Sequence, residues 1–432
     1  MRLRGYRLEP LVIALVALAA LPPISLTGPQ DRTRYELTRH VVLYHTLTLE
    51  PNLFDRALFH GHTYSDKAPG ISFLAIPAYE LERAVGIAKA PRDWELKGDL
   101  SLWLLRVLTS GVLFLVAVFV VGRLGEGLVA GTGALTAATF GAATLAAPLA
   151  PTLFEHDAAA AFAIAAFAFA WLGRRAPALA AAGLCAGTAV LFQYATGLIT
   201  VALGVYCVWR HGRRVGWYAL GVLPPALALG AYNWAAFDSP FHLSYRYVAN
   251  AYTEQQHHGL FGIGVPTLHG LREALVGNRG LLVFSPVVLA AAVGLVLLWR
   301  RGHRAEALLA GTVSVLFVLL DAGYFLPSGG GTPGPRFLAP ALPFLVLGLP
   351  FAVERFRLPT LVLAVASAAL TTVDSVTWGV RPSLDTSWLP SRNEISKTAW
   401  AWLGPDRNVS ALLVLACALA AVGVGAVAEA RR

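Results

Sequence analysis

"PGISFLAIPAYELERAVGI", residues 69–87, is apolar enough to suggest a membrane crossing, yet it carries Pro77, Glu80, Glu82 and Arg83. Its reading decides the topology of the whole chain, because one crossing here would invert every later connection. A charge at mid-membrane costs about 3 kcal/mol on insertion scales. The stretch therefore reads as a helix lying in the membrane interface or re-entering it.

Outward from this segment, long uncharged runs recur along all 432 residues, of which 56% are hydrophobic and 14% charged. No soluble domain hides that much apolar surface. Run length predicts about twelve spans of roughly bilayer thickness. They lie near 9–27, 101–122, 127–149, 157–173, 177–193, 196–210, 215–236, 280–299, 306–323, 337–353, 358–379 and 409–428. The run 177–210 is too long for one span and is divided near Tyr194–Ala195. The first run lacks a small-residue cleavage site and reads as a retained helix.

The connections alternate. Short basic ones carry Arg2, Arg4 and Arg7, Arg123, Arg174–Arg175, Arg210, Arg213 and Arg214, Arg300, Arg301 and Arg304, Arg355 and Arg357, and Arg431–Arg432. Longer mixed ones occupy 28–100, 150–156, 237–279, 324–336 and 380–408. Short arginine-rich loops stay in the cytoplasm, which puts both termini inside and the long loops outside. The expected architecture is all-α: one integral membrane domain, 1–432, with interfacial helices in the first outer loop, 28–100, and a second outer loop at 237–279. The net charge of +9 is spread between spans, so it sets topology and does not point to nucleic acid. Cys185, Cys207 and Cys417 all sit inside apolar runs and read as small buried hydrophobes.

Polar groups concentrate at the outer ends. In "DRTRYELTRH", residues 31–40, helical spacing places Asp31, Arg34, Tyr35, Thr38 and Arg39 on one face. A carboxylate between arginines stays ionised and can accept a proton from a hydroxyl; a solvated helix start is the plain alternative. "HGHTYSDKAPG" offers His60, His62, Tyr64, Asp66 and Lys67, where an ammonium can meet a phosphate at the membrane surface. Two histidines without a third ligand make a weak metal signal. "LFEHDAAAA" sets Glu155, His156 and Asp157 together at a helix start, more titratable groups than capping needs. In "YFLPSGGGTPGPRFLAP", residues 324–340, glycines and prolines prevent a helix before Arg336, so backbone N–H groups and a guanidinium can hold a phosphate. Arg246 and Arg279 are further candidates for anion contacts. Asp321 and Asp374 are acids inside apolar runs.

Taken together these stretches resemble GT-C glycosyltransferases, the class of the protein O-mannosyltransferases and the lipid A aminoarabinose transferase. "DRTRYELTRH" is similar to their first-loop acidic motif, "GHTYSDKAPGISFLAIP" to the later part of that loop, and "GGGTPGPRFLAPALPFL" to a stretch of bacterial family-39-like members. "FDSPFHLSY" and "NRGLLVFSP" resemble further stretches of that group. The chain departs from the pattern at Arg32, where an acid is usual, and at "KAPG".

The resemblance implies a hexosyl- or pentosyltransferase of the cytoplasmic (inner) membrane. It would move a sugar from a polyprenyl-phosphate donor to a glycan, lipid or protein hydroxyl at the outer face, with inversion. Asp31 takes the place of the general base. Lys67 and Arg336, with Arg34 and Arg39, take the donor-phosphate places. Tyr35, Tyr64, Asp66, Glu155, His156 and Asp157 supply substrate contacts or a second acidic site. A divalent metal is neither assigned nor excluded. The rival reading, a transporter or lipid flippase, calls for charged or broken helices near the midplane in paired halves.

Overall fold

The structure is a computed structural model that describes residues 5–24, 28–88, 100–173, 175–330, 332–377 and 395–430. Arg2, Arg4, Arg174, Arg431, Arg432 and parts of the loops 28–100 and 380–408 lie outside the described residues.

Every expected apolar segment contains helix. The order is Glu9–Ala20, Leu100–Leu128, Gly133–Ala143, His156–Leu172, Ala176–Phe192, Gly197–His211, Val215–Phe237, Val287–Arg300, Arg304–Gly323, Arg336–Arg355, Arg357–Thr377 and Arg407–Ala430. Length and apolarity alone identify six stretches able to cross, or seven with one bent pair, and four more apolar helices of 10–17 residues. Seventeen helical residues span about 25 Å, short of a full hydrocarbon core, so length by itself does not establish twelve crossings.

One of the long stretches, Tyr194–Phe237, is a hairpin. A straight helix of that length would run about 66 Å. Instead the Tyr218 hydroxyl donates to Thr200 O at 2.7 Å, which requires reversal at residues 211–214. The division near residue 194 is also present. Thr200 Oγ1 donates to Ala186 O at 3.0 Å, and only a folded-back chain allows that contact. Helices Ala176–Phe192 and Val215–Phe237 cross in close contact at Gly183 and Gly221. A Cβ on Gly183 would stand 1.9 Å from Tyr218 O. Without water to drive association in lipid, such close backbone approach is what packs helices.

Ion pairs tie the basic connections into one end of the bundle. Glu9 receives Arg123, Glu306 receives Arg210, Glu354 receives Arg301, and Glu429 receives Arg357. At the other end lies the segment 69–87. It forms two short helices, Gly70–Leu74 and Ile76–Ala84, of about 8 and 14 Å, too short to span. Its Glu82 is buried and accepts from Ser101 Oγ at 2.6 Å.

The second outer loop holds an element its composition did not suggest. Helix Leu268–Val276 belongs to a stretch, Leu268–Phe284, that meets Val287–Arg300 at 93°. Leu268 on it is 82% exposed, as expected of a helix lying flat in the interface. Pro286 precedes the sharp turn upward.

The first outer loop starts with helix Pro29–Tyr44 and continues in a hairpin, Ala57–Phe59 with His62–Tyr64. It then docks through Gly70, where a Cβ would lie 2.6 Å from Leu191 O. Gly70→Leu is expected to destabilise by about 1–3 kcal/mol, read as a lower thermal unfolding midpoint in detergent; an unchanged midpoint would contradict the close docking.

Candidate functional site

Near its N-terminal end the helix Leu100–Leu128 is interrupted by a π turn, Val107–Gly111. Such turns redirect side chains and occur often at functional sites. Here the turn follows Arg106 and presents Ser110, whose hydroxyl donates to Phe154 O at 3.0 Å. Arg106 Nη2 donates to Asp31 Oδ2 at 2.7 Å, and Asp31 Oδ1 accepts from the Leu153 N–H at 2.7 Å. Asp31 is fully buried. Oδ1 thus ties the turn 150–156, and Oδ2 the helix Leu100–Leu128, to helix Pro29–Tyr44.

That turn carries Glu155 into the wall of a cavity of about 350 Å³. Lys67, Glu155, Gln193 and Arg336 line it, with Gln30, Tyr194, Tyr245, Gln256 and Tyr324 as further polar groups. Leu243, Leu260, Phe261, Ile263, Leu320 and Phe337 supply apolar surface. Glu155 forms a buried ion pair with Arg34, whose Nη1 also donates to Gln30 O at 2.9 Å. Burial would raise the Glu155 carboxyl. Arg34, with His156 and Arg336, outweighs burial and holds it below the usual range.

The two cavity cations differ. Lys67 Nζ lies 2.7 Å from Asp66 Oδ2 and 3.4 Å from Asp55 Oδ2. Burial opposes its charge, but these two carboxylates hold its pKa above the ordinary value. Arg336 is 8% exposed and has no ion-pair partner among the described residues. Its guanidinium sits 5.7 Å from the ring centre of Phe154 and 5.3 Å from that of Phe337. A charge held on aromatic faces, with no close ion pair, is a place for an anion.

Several expected site residues lie elsewhere. Asp31 does not line the cavity; its neighbour Gln30 does. Arg34 is fully buried and serves Glu155. Arg39 pairs with Glu36 at 3.1 Å and reaches Tyr44 Oη at 3.2 Å, and does not line the cavity. Tyr35 packs edge-on to Tyr79 and Tyr64 packs on Phe237, and neither lines the cavity. His156 stands behind the wall, with Nδ1 3.0 Å from Gln193 Oε1. Asp157 is buried, with no hydrogen bond to either oxygen among the described residues. Arg279 donates to Thr332 O at 2.8 Å and braces the glycine loop before Arg336. Asp321 and Asp374 lie near the outer ends of Arg304–Gly323 and Arg357–Thr377, not at mid-helix.

Arg106, Asp55 and Gln193 were not foreseen. A signal existed for each: a charge early in the apolar run 101–122, an acid in a loop already rich in candidates, and an amide at the break of the run 177–210. Asp31→Asn removes the charge facing Arg106. It is expected to cost about 3 kcal/mol, measured by thermal unfolding; full stability would contradict the positioning role.

Below the cavity an apolar groove of about 320 Å³ runs between Gly197–His211 and Arg304–Gly323. Leu198 belongs to both. Val201 and Val205 expose their side chains along it.

The sequence matches no described protein family and no curated protein. Its fold does match solved structures. ArnT from Cupriavidus metallidurans bound to undecaprenyl phosphate shares 14% identity at a TM-score of 0.56, over 98% of this chain and 76% of that one. The apo state of the same protein gives 16% and 0.56, over 98% and 74%. The archaeal oligosaccharyltransferase AglB from Archaeoglobus fulgidus, in complex with an inhibitory peptide and a dolichol-phosphate, gives 12% and 0.50, over 98% and 56%. At such identities the likeness is one of fold, and the expected all-α membrane architecture is the one found.

Proposed function

We propose that the chain is a membrane glycosyltransferase that moves a sugar from a polyprenyl-phosphate donor to an acceptor hydroxyl at the outer face of the cytoplasmic membrane. The observation that carries this reading is Arg336, a nearly buried guanidinium with no ion-pair partner among the described residues, in a cavity that shares Leu198 with an apolar groove. A lipid phosphate fits both features: the anion meets Arg336 and Lys67, and the prenyl chain follows the groove toward the bilayer. The fold neighbours support the same chemistry, since ArnT was captured with undecaprenyl phosphate and AglB with a dolichol-phosphate.

The reaction balances as a single displacement. The acceptor oxygen attacks the anomeric carbon, the bond from that carbon to the phosphate oxygen breaks, and its electron pair leaves with the phosphate. The acceptor proton goes to a carboxylate, and the anomeric centre inverts. The geometry favours Glu155 as that carboxylate, because it faces the cavity beside the cations while Asp31 is enclosed behind it. Asp31 then acts by fixing the turn that carries Glu155. Cations placed where the phosphate gains charge supply much of the rate.

The test uses the protein reconstituted in vesicles with labelled polyprenyl-phosphate sugars and a membrane-extract acceptor. Label is expected in a new glycosidic bond, with equal release of polyprenyl phosphate. Movement of the intact lipid between leaflets without transfer would instead show a flippase.

A further inference from the structure

Lys67 stands between two carboxylates, so its charge is more than cancelled before any ligand arrives. Asp66 is fully buried, and Asp55 and Lys67 nearly so. Asp55 Oδ1 takes a long hydrogen bond from Asn250 Nδ2 at 3.4 Å. Asp66 Oδ1 meets no donor among the described residues. With every group ionised, the charges of Lys67, Arg336, Asp55 and Asp66 sum to zero. A site with no net charge gains little by taking up an anion. One proton on the carboxylates changes the sum to a single positive charge, which matches the single negative charge of a lipid phosphodiester.

We infer that Asp66 takes up one proton when the lipid phosphodiester binds, so that the donor enters together with a proton and Lys67 is freed to meet the phosphate. This rests on the lipid-phosphate reading above and adds a role for Asp66 to it. Burial lifts the Asp66 carboxyl to about 6 against the pull of Lys67, with Asp55 adding to the rise.

Above pH 6 Asp66 in the empty site has lost its proton, and only the protonated fraction is competent to bind, so apparent affinity falls as pH rises. The other groups facing the two carboxylates do not titrate in this range. Arg34 faces it from Pro29–Tyr44 and stays charged. Tyr194, Tyr232, Tyr245 and Tyr324 face it from the neighbouring helices and the outer loops, and phenols stay neutral below pH 8.

The experiment is calorimetric titration of the full chain in detergent with methyl farnesyl phosphate. This probe is a sugar-free phosphodiester that keeps one charge from pH 5 to 8. For the unaltered protein the dissociation constant is expected to weaken on the order of tenfold between pH 5.5 and 7.5. Heats in two buffers of different ionisation enthalpy should show uptake of most of one proton per lipid at pH 7.5. Asp55→Asn and Asp66→Asn should each bind at pH 7.5 as tightly as at pH 5.5. A flat profile without proton uptake in the unaltered protein would overturn the proton-coupled binding, as would variants that follow its pH dependence. Either result leaves lipid-phosphate binding itself intact. Absence of binding at every pH would instead remove the lipid-phosphate reading, and this inference with it.

Discussion

Arg336→Gln is expected to lower transfer about 10²- to 10³-fold, the usual cost of removing one group that stabilises developing charge, and to leave the protein folded. The second half of that expectation comes from the partners. Arg336 has aromatic faces beside it and no close ion pair among the described residues, and Glu155, which feels its charge, keeps its own pair with Arg34, so its loss leaves no buried charge without a partner. Removing Arg34 would strand Glu155, and such breakage costs about 3–5 kcal/mol. The pairing therefore separates a ligand-binding arginine from a structural one. Arg336→Lys should restore only part of the rate, because an ammonium lacks the planar fork that meets two phosphate oxygens. Steady-state transfer and polyprenyl phosphate binding, each per folded molecule, check the point. Normal transfer by Arg336→Gln would take the phosphate away from this wall.

Glu155→Gln is the second large effect. As the carboxylate facing the cavity, it is expected to lower kcat about 10²- to 10⁴-fold, the range for loss of a general base, while polyprenyl phosphate still binds. Its carboxyl is held below the usual range because the ion pair with Arg34 outweighs burial. A depressed carboxylate is ionised above its own pKa and loses its charge only as pH falls through that value. An activity loss near neutral pH would therefore not come from Glu155. Asp31→Asn gives the contrast. It should act mainly on stability, through Arg106 and the Leu153 N–H. If Asp31→Asn abolishes turnover in fully folded protein while Glu155→Gln does not, the base is Asp31 and the turn must open to expose it.

The positions of the helices were legible because they depend on run length, a one-dimensional signal. Even the long run around Tyr194 was divisible, since it exceeds one span and basic residues flank both of its ends. Lys67, Glu155 and Arg336 were legible for a related reason: each is an ionisable group at the outer end of an apolar run, where burial is costly without a purpose. The assignment of Asp31 was less secure, because helical spacing says which residues share a face and not what that face meets. Asp31, Arg34, Tyr35 and Arg39 do lie on one short helix, yet they part company. Asp31 turns to Arg106, Arg34 to Glu155, Tyr35 to Tyr79 and Arg39 to Glu36. Those partners lie far along the chain or on another face, and only the packing of Leu100–Leu128 and the turn 150–156 selects them. Asp55 is a similar case. Nothing local couples it to Lys67 until the hairpin brings the two together.

The most direct test of the central claim is a cryo-electron microscopy map of the protein with a polyprenyl phosphate. The account predicts phosphate density in the outer cavity between Arg336 and Lys67, with the prenyl chain descending the groove between Gly197–His211 and Arg304–Gly323. Phosphate density away from Arg336, with the cavity left to solvent, would contradict it.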